Sequence, residues 1–264
     1  MADHERNPQR KLLAASYESR TKTIVMAFLV SAICAIAVSS ATVFLRPIQK
    51  ANRAAEKQAR LEALVRGVPG MAELLETTDG ELSTVVIDLD SGRAASGVTP
   101  ENLEATLAAA SNWSAIPPAV DTAGLGARPD FAQVFLLRGN EGIALVLLPI
   151  RGQGYNGPID AILAIRSDLN TIAGLTVTRH SETPGLGARI EEAAWQAGFP
   201  GIQAFDEEGN VRFTVARGRA SSHHEVDGIT GATRTGSSVT QMVRFWLGPL
   251  GYGPFLDAIG RGEF

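Results

Sequence analysis

The sequence contains very little cysteine. A single cysteine among 264 residues, Cys34, excludes an internal disulfide, a CxxC redox pair and a thiolate metal cage. Any redox chemistry of the chain therefore depends on a bound organic cofactor. Basic residues are not in excess either, since 24 Lys and Arg stand against 28 Asp and Glu, for a net charge of −4. The chain lacks the basic footprint of a nucleic-acid-binding protein, and we expect no nucleic-acid partner.

Charge is absent from one long stretch. No Asp, Glu, Lys or Arg occurs from Thr23 to Leu45, and these residues would form a helix about 34 Å long. That length exceeds a bilayer core of about 30 Å. A cleaved signal peptide is the competing interpretation, but the polar leader at residues 1–22 and the long apolar run favour an uncleaved anchor. We predict a single transmembrane helix at residues 23–45, which makes the lipid bilayer a partner of the chain.

Beyond the predicted anchor, the composition is that of a folded protein. The chain is 45% hydrophobic and 20% charged, which excludes wholesale disorder. Ile48–Val68 is rich in Ala, Lys, Arg, Glu and Leu, and this composition predicts a helical stalk. We therefore divide the chain into a leader (1–22), the transmembrane helix (23–45), a stalk with a membrane-proximal α/β region (46–130) and a C-terminal domain (131–264).

Short apolar runs joined by turn residues predict an α+β fold with a largely antiparallel sheet and packed helices. The predicted strands are Thr84–Leu89, Phe131–Leu137, Ile143–Ile150, Ile159–Ile165, Ile172–Thr178 and Val211–Val215. The predicted helices are Pro100–Ala110, Ala188–Ala197 and Ser237–Leu247. Aromatic residues near the C-terminus are predicted to anchor a core or an interface, namely Phe245, Trp246, Tyr252 and Phe255.

Three segments are candidates for a binding site. The first, RGQGYNG, matches the G-x-G-x-x-G dinucleotide pattern through Gly152, Gly154 and Gly157. That fingerprint requires a helix after the glycines, whose N-terminus holds the pyrophosphate. Here Pro158 and the alternating run IDAILAI follow, which indicate a second strand. A hairpin connection is therefore favoured over a Rossmann nucleotide site.

The second segment is HSETPGLG, at residues 180–187. Pro184 and Gly185 suit the centre of a type II turn, with Gly185 at positive φ. Gly187 permits another close approach of the backbone. Such a loop can lie flat against a planar ligand, or it can be a plain connector between a strand and a helix.

The third segment, DGITGATRTGSS at residues 227–238, places hydroxyls and small residues just before the predicted helix Ser237–Leu247. A helix N-terminus of this kind binds phosphate readily, but the segment lacks the Lys of a P-loop. A Ser or Thr N-cap in an ordinary turn is the alternative. No nucleophile and base pair indicates a hydrolase, and the sequence His223-His224-Glu225 offers no third metal ligand at a suitable spacing. We therefore expect no catalytic and no metal-binding residues.

Four stretches together resemble one family. TGAT in DGITGATRTG is similar to the Ser/Thr-Gly-Ala-Thr-x-Ser/Thr motif of covalently flavinylated FMN-binding domains, and HSETPGLG is similar to the segment beside the isoalloxazine in that family. LRPIQKANRA, after the predicted anchor, and FWLGPLGYGPFL, near the C-terminus, resemble the C subunits of the sodium-translocating NADH:quinone reductases. The resemblance runs nearly from end to end, and the C-terminal stretch separates this family from the G subunits of the related Rnf complexes.

The resemblance implies a covalent FMN that is held as a phosphoester on Thr233. It places Thr230, Gly231, Ala232 and Thr235 around the attachment point. It also places the following residues at the flavin: Glu182, Thr183, Pro184, Gly185, Leu186, Gly187 and, from the glycine segment, Tyr155.

The function implied by the resemblance is that of an electron carrier in a six-subunit complex of the cell inner membrane. Similar proteins take electrons from a membrane iron–sulfur centre and pass them to the flavin of the B subunit, then to riboflavin and ubiquinone, while the complex exports Na⁺. The NADH site lies on another subunit, and a flavin transferase attaches the FMN. Two alternatives stay open: an Rnf-type carrier with the same covalent FMN, and a non-redox membrane-anchored binding module.

The residues near the predicted anchor do not decide its orientation. Five basic residues precede it and five follow it within residues 46–60, so the positive-inside rule gives a tie. The residues after Leu45 carry 19 basic and 25 acidic side chains, which favours the outer side for them. The resemblance implies the same arrangement, a single-pass protein with its soluble domain in the periplasm.

We therefore expect residues 1–22 in the cytoplasm and residues 46–264 in the periplasm. A reporter enzyme that is active only after export should be active when it is fused behind Phe264, because the anchor would carry it across the membrane. A reporter that works only in the cytoplasm is the control, and its activity at the same position would contradict this placement.

Overall fold

The computed structural model describes residues 23–36, 38–39, 81–139 and 142–264. Residues 23–36 and 38–39 are helical. Among the described residues, no helix combines the length and the apolar character needed to cross a membrane. The rest of the predicted anchor, the predicted leader and the predicted stalk lie outside the described residues. The chain divides into two compact units, and all further description concerns the unit that contains residues 81–139 and 142–264.

A five-stranded sheet organises this unit. Every neighbouring pair of strands in it is antiparallel, which confirms the predicted antiparallel sheet. In spatial order, its strands are β1 (Glu81–Asp88), β4 (Phe131–Gly139), β5 (Gly142–Gln153), β6 (Pro158–Arg166) and β7 (Ile172–Arg179). The sixth predicted strand, Val211–Val215, is mostly wrong, since only two of its residues are in a strand.

Two small strand pairs accompany the sheet. The first is antiparallel and joins β2 (Trp113–Ala115) to β3 (Ala127–Pro129). The second is parallel and joins β8 (Thr214–Val215) to β9 (Glu225–Val226). Both pairs are too short to carry a periodic signal, and for this reason the sequence pattern does not predict them.

The helices differ from their predicted bounds. They are α1 (Leu103–Leu107), α2 (Ala193–Gln196), α3 (Thr233–Leu247) and α4 (Gly253–Gly260), and 3₁₀ turns cover Ala110–Asn112 and Gly187–Glu191. The predicted helix Pro100–Ala110 is therefore too long, and Ala188–Ala197 is in fact a 3₁₀ turn followed by one short helix. Helix α3 begins four residues before the predicted Ser237. Helix α4 is mostly apolar, so it shows no polar face that would have indicated it.

Helix α3 covers one face of the sheet and closes the core. Its Trp246 donates from Nε1 to the carbonyl oxygen of Arg151 in β5, at 2.6 Å. After α3, the Tyr252 hydroxyl donates to the carbonyl oxygen of Pro149, also at 2.6 Å, and burial raises the pKa of this phenol. The four aromatic residues predicted as anchors are all buried. They belong to the core on this face.

The glycine segment RGQGYNG is a hairpin connection, as predicted. Gln153 ends β5 and pairs with Pro158, which begins β6. The N–H of Gly154 donates to the carbonyl oxygen of Gly157 at 2.7 Å and closes the turn. Because a strand and not a helix follows the glycines, this segment offers no Rossmann pyrophosphate site.

Replacing Gly152 by Ala should destabilise the packing of α3 on β5. A Cβ at this position would stand 2.9 Å from Cβ of Met242, so the helix or the strand would have to shift. Overpacking of this kind typically costs about 1–3 kcal/mol. Gly218→Ala is the matched control, because its new Cβ would meet no atom within 4 Å and should change stability by less than about 0.5 kcal/mol. Denaturant unfolding followed by tryptophan fluorescence measures both, and equal midpoints would refute the packing argument.

Candidate functional site

Three segments that are far apart in the sequence meet around one cavity. They are the β5–β6 turn, the loop before the second 3₁₀ turn, and the first turn of α3. The cavity has a volume of about 340 Å³. Its lining residues are Tyr155, Glu182, Thr183, Leu186, Gly187, Gly231, Ala232, Thr233, Arg234 and Thr235. Every lining residue except Arg234 is among the predicted site residues.

Three predicted site residues do not line this cavity. Thr230, Pro184 and Gly185 are all exposed and lie outside its lining. Gly185 has a φ of 75°, which confirms the positive φ predicted for the turn. Its role is to shape the loop, because a Cβ there would meet nothing within 4 Å.

A buried carboxylate, that of Glu182, joins the three segments. Its side-chain Oε1 accepts hydrogen bonds from the backbone N–H groups of Tyr155, at 2.7 Å, and Asn156, at 3.2 Å. Its Oε2 accepts a hydrogen bond from the hydroxyl of Thr235 at 2.6 Å. Both oxygens are therefore engaged by the protein, and the residue links the β5–β6 turn to the first turn of α3.

Glycine is required at the two positions that face this carboxylate. A Cβ on Gly154 would stand 2.3 Å from Oε1 of Glu182, and a Cβ on Gly187 would stand 2.4 Å from Oε2. Neither oxygen can retreat without breaking the hydrogen bonds that it accepts. The predicted close approach at Gly187 is thus an approach to Glu182. Gly154 also belongs to the site, although it was not among the predicted site residues. The G-x-G pattern of the glycine segment could have indicated it.

Thr233 is the first residue of the 15-residue helix α3. Its side chain is exposed, and its hydroxyl has no hydrogen-bond partner in the part of the chain that the structure describes. The N-cap residue is Ala232, which offers no side-chain hydrogen bond. The alternative that this hydroxyl cluster is an ordinary Ser or Thr cap is therefore wrong. The first N–H groups of α3 remain available, as at any helix start.

Two further residues complete the entrance to the cavity. Gly231 has a φ of 81°, and a Cβ there would stand 3.0 Å from Cδ2 of Leu186, so the turn before Thr233 favours glycine. The guanidinium carbon of Arg234 lies 5.1 Å from the ring centroid of Tyr155, at a distance typical of a cation–π contact. Arg234 was missed by sequence reasoning, although it fills the variable position directly after Thr233.

Two larger surface cavities lie elsewhere, with volumes of about 420 and 560 Å³. Neither is lined by Gly187, Gly231 or Thr233. The site at Thr233 is distinguished by its chemistry, since it combines free N–H groups, a guanidinium group and an exposed, unpartnered hydroxyl beside apolar surface in the described part of the chain.

The comparisons with known proteins agree with this geometry. The sequence profile of the FMN-binding domain family matches residues 154–248, which run from the β5–β6 turn to the end of α3. The fold and the site thus define an FMN-binding domain.

Comparison over the full length identifies the family more closely. The chain is 33% identical over 259 residues to the C subunit of the Na(+)-translocating NADH-quinone reductase of Pseudomonas aeruginosa, covering 94% of this chain and 99% of that protein. It is 34% identical over 265 residues to the protein of the same name from Vibrio parahaemolyticus, with coverage of 95% and 99%. The crystal structure of Shewanella oneidensis NqrC superimposes with a TM-score of 0.68 at 26% identity, covering 78% of this chain and 99% of that one. The chain belongs to the family of Na(+)-translocating NADH-quinone reductase C subunits, which confirms the family resemblance.

Two threonines of the first turn of α3 should respond differently to the same change. Thr235→Val removes the donor to Oε2 of Glu182 in a buried site, and leaving that oxygen unsatisfied should cost about 1–3 kcal/mol. Thr233→Val alters an exposed side chain with no partner in the described residues and should change stability by less than about 0.5 kcal/mol. Thermal unfolding of flavin-free protein compares the two variants. Equal losses of stability would refute the role given to the Thr235–Glu182 hydrogen bond.

Proposed function

We propose that the chain is an electron-carrier subunit of a sodium-translocating NADH:quinone reductase, with FMN attached to Thr233 as a phosphoester. The observation that carries this proposal is the position of Thr233: an exposed hydroxyl without a partner in the described residues, at the start of α3 and at the edge of the cavity. An acceptor for a phosphoester needs a hydroxyl that is free and accessible. Thr233 meets both conditions.

The residues around Thr233 fit the phosphate of FMN. A negative group attached there would lie at the N-terminus of α3, where the helix dipole stabilises it by about 0.3–1 kcal/mol. Arg234 adds a positive charge on the next residue. Tyr155 and Leu186, which are both about half exposed, supply apolar surface at the cavity for a planar ring system.

The neighbouring threonines are poor acceptors by the same criteria. The Thr235 hydroxyl is buried and is used by Glu182. Thr230 is exposed but lies outside the cavity. These differences support attachment at Thr233 alone.

When bound, FMN supplies the redox chemistry, and this chain binds and orients it. We propose that electrons reach it from an iron–sulfur centre in the membrane and continue to the flavin of the B subunit, riboflavin and ubiquinone, while the six-subunit complex exports Na⁺. NADH oxidation belongs to another subunit. A flavin transferase would attach the FMN, so no base or metal of this chain is needed for the attachment.

We also propose that the chain is anchored in the cell inner membrane by a single helix at residues 23–45, with its flavin domain in the periplasm. The charge-free run supports this, and residues 23–36 and 38–39 of it are helical. The division of the remaining chain into residues 46–130 and 131–264 stays a prediction. The two regions share the main sheet, because β1 from the first region pairs with β4 from the second.

The acceptor assignment is tested by mass spectrometry of protein made together with its transferase. The peptide that contains Thr233 should carry the mass of FMN minus one water. Thr233→Ala should lose all covalent flavin and remain folded, because an exposed side chain is removed. Thr233→Ser keeps a hydroxyl and should retain part of the label.

Thr230→Ala is the matched control and should stay labelled, since the proposal gives its hydroxyl no role. The readout is flavin fluorescence on a denaturing gel. An unmodified Thr233 peptide, or a Thr233→Ala protein that still fluoresces, would overturn the assignment.

A further inference from the structure

A second concave surface lies beside the proposed flavin site. It is bounded on one side by the loop at residues 216–221 and on the other by α3, and its volume is about 560 Å³. We call it the basic groove and define it by five of its lining residues, Arg217, Arg219, Ser237, Gln241 and Arg244. Nothing in the proposed attachment of FMN uses this surface.

The positive charge of the basic groove is not neutralised within it. Arg217 and Arg219 are exposed and have no ion-pair partner within the described part of the chain. Arg244 donates from Nε to the carbonyl oxygen of Phe213 at 2.8 Å, which is a neutral acceptor. None of these three guanidinium groups is thus paired with a carboxylate within the described residues, on a chain whose net charge is −4.

One carboxylate, that of Glu225, also lines the groove. It accepts hydrogen bonds from the backbone N–H and the hydroxyl of Ser221, at 2.8 and 2.9 Å. It is thus held by the loop and forms no described ion pair with the arginines. Three positive groups stand against one negative group, so the groove attracts anions.

The basic groove and Thr233 share one face of α3. Thr233, Ser237, Gln241 and Arg244 follow one another at spacings of four, four and three residues, which places them along one side of the helix. Ser237 lies one turn beyond Thr233, about 6 Å along the axis. Ser237 marks the end of the groove nearest to Thr233, so an occupant that reaches Ser237 lies about one helical turn from Thr233.

The loop of the basic groove is held in place before any partner arrives. The N–H of Ala216 donates to the carbonyl oxygen of Val226 at 2.9 Å, and the N–H of Gly228 donates to that of Gly218 at 2.7 Å. The N–H of Ala220 donates to the carboxylate of Asp227 at 2.6 Å. A preformed surface loses little conformational entropy on binding.

We infer that the basic groove is the docking surface for an acidic protein surface, on the subunit that exchanges electrons with the flavin. This inference rests on the proposed function. Electron exchange requires the partner to approach the flavin closely, and the groove is a positively charged surface that begins about one helical turn from Thr233. A lipid headgroup or free phosphate has no need of that proximity. Polar contacts of modest area with complementary charges are typical of weak interfaces between electron-transfer partners.

The test uses the purified, flavinylated complex, with the full-length chain present as wild type or as Arg219→Glu. The rates of NADH-driven reduction and of reoxidation of the Thr233-bound FMN are measured at several salt concentrations. One of the two rates should fall about tenfold at low salt in the variant, because Arg219→Glu would set like charges against each other at the contact with an acidic partner. The wild-type rate should fall as salt is added, and the variant rate should respond much less.

Arg138→Glu is the matched control. It makes the same charge change at an exposed residue beside the β4–β5 connection, at the other end of the sheet from the β5–β6 turn, and it should leave both rates unchanged. Arg219→Lys keeps the charge and should behave as wild type. If Arg219→Glu fails to assemble, the double variant Arg217→Gln and Arg219→Gln replaces it, with the same expected direction.

The outcomes separate the inference from the proposed function. Full covalent labelling with unchanged rates and unchanged salt dependence in Arg219→Glu would overturn the docking surface and leave the flavin assignment intact. A selective loss of labelling would identify the groove as a transferase contact instead. Loss of binding to phosphatidylglycerol vesicles, with both rates unchanged, would assign it to lipid. Absence of flavin from the wild-type Thr233 peptide would overturn the proposed function itself.

Discussion

The candidate site depends on one interaction, the burial of the Glu182 carboxylate among three donors. Two of these donors are backbone N–H groups of the β5–β6 turn, and the third is the hydroxyl of Thr235 in α3. A buried carboxylate is costly unless it is fully hydrogen-bonded, so the turn and the helix must both stay in position. The same requirement explains Gly154 and Gly187, whose missing Cβ atoms leave room for the two carboxylate oxygens.

This arrangement gives two threonines of one helical turn opposite environments. The Thr235 hydroxyl is used inside the protein, whereas the Thr233 side chain is exposed at the start of α3. For the attachment proposed above, selectivity for one acceptor among several hydroxyls needs no special reactivity. Burial makes the Thr235 hydroxyl unavailable, whereas the Thr233 hydroxyl lies at the edge of the cavity.

Positive charge is concentrated along the same helix, α3. The N-terminus of α3 and Arg234 provide positive potential at Thr233, and the basic groove continues it along the same face of the helix. These groups belong to an acidic chain, so they form a local exception to its average charge. Under the attachment proposed above, the cofactor need not be retained by affinity, and the surrounding charges can then orient it and guide a partner.

The strands of the sheet, the hairpin at RGQGYNG and the family could all be predicted from the sequence, because alternation, turn residues and motifs are local properties of the chain. The HSETPGLG and TGAT stretches also indicated most of the residues at the cavity. The start of α3, in contrast, was set by packing. Propensity favours Ser or Thr as the cap, but the helix begins after Ala232, and Thr235 in its first turn binds Glu182. The tertiary structure likewise decided the contact of Arg234 with Tyr155 and the grouping of three arginines in the basic groove. Both bring together segments that are far apart in the sequence, and a local pattern cannot predict such contacts.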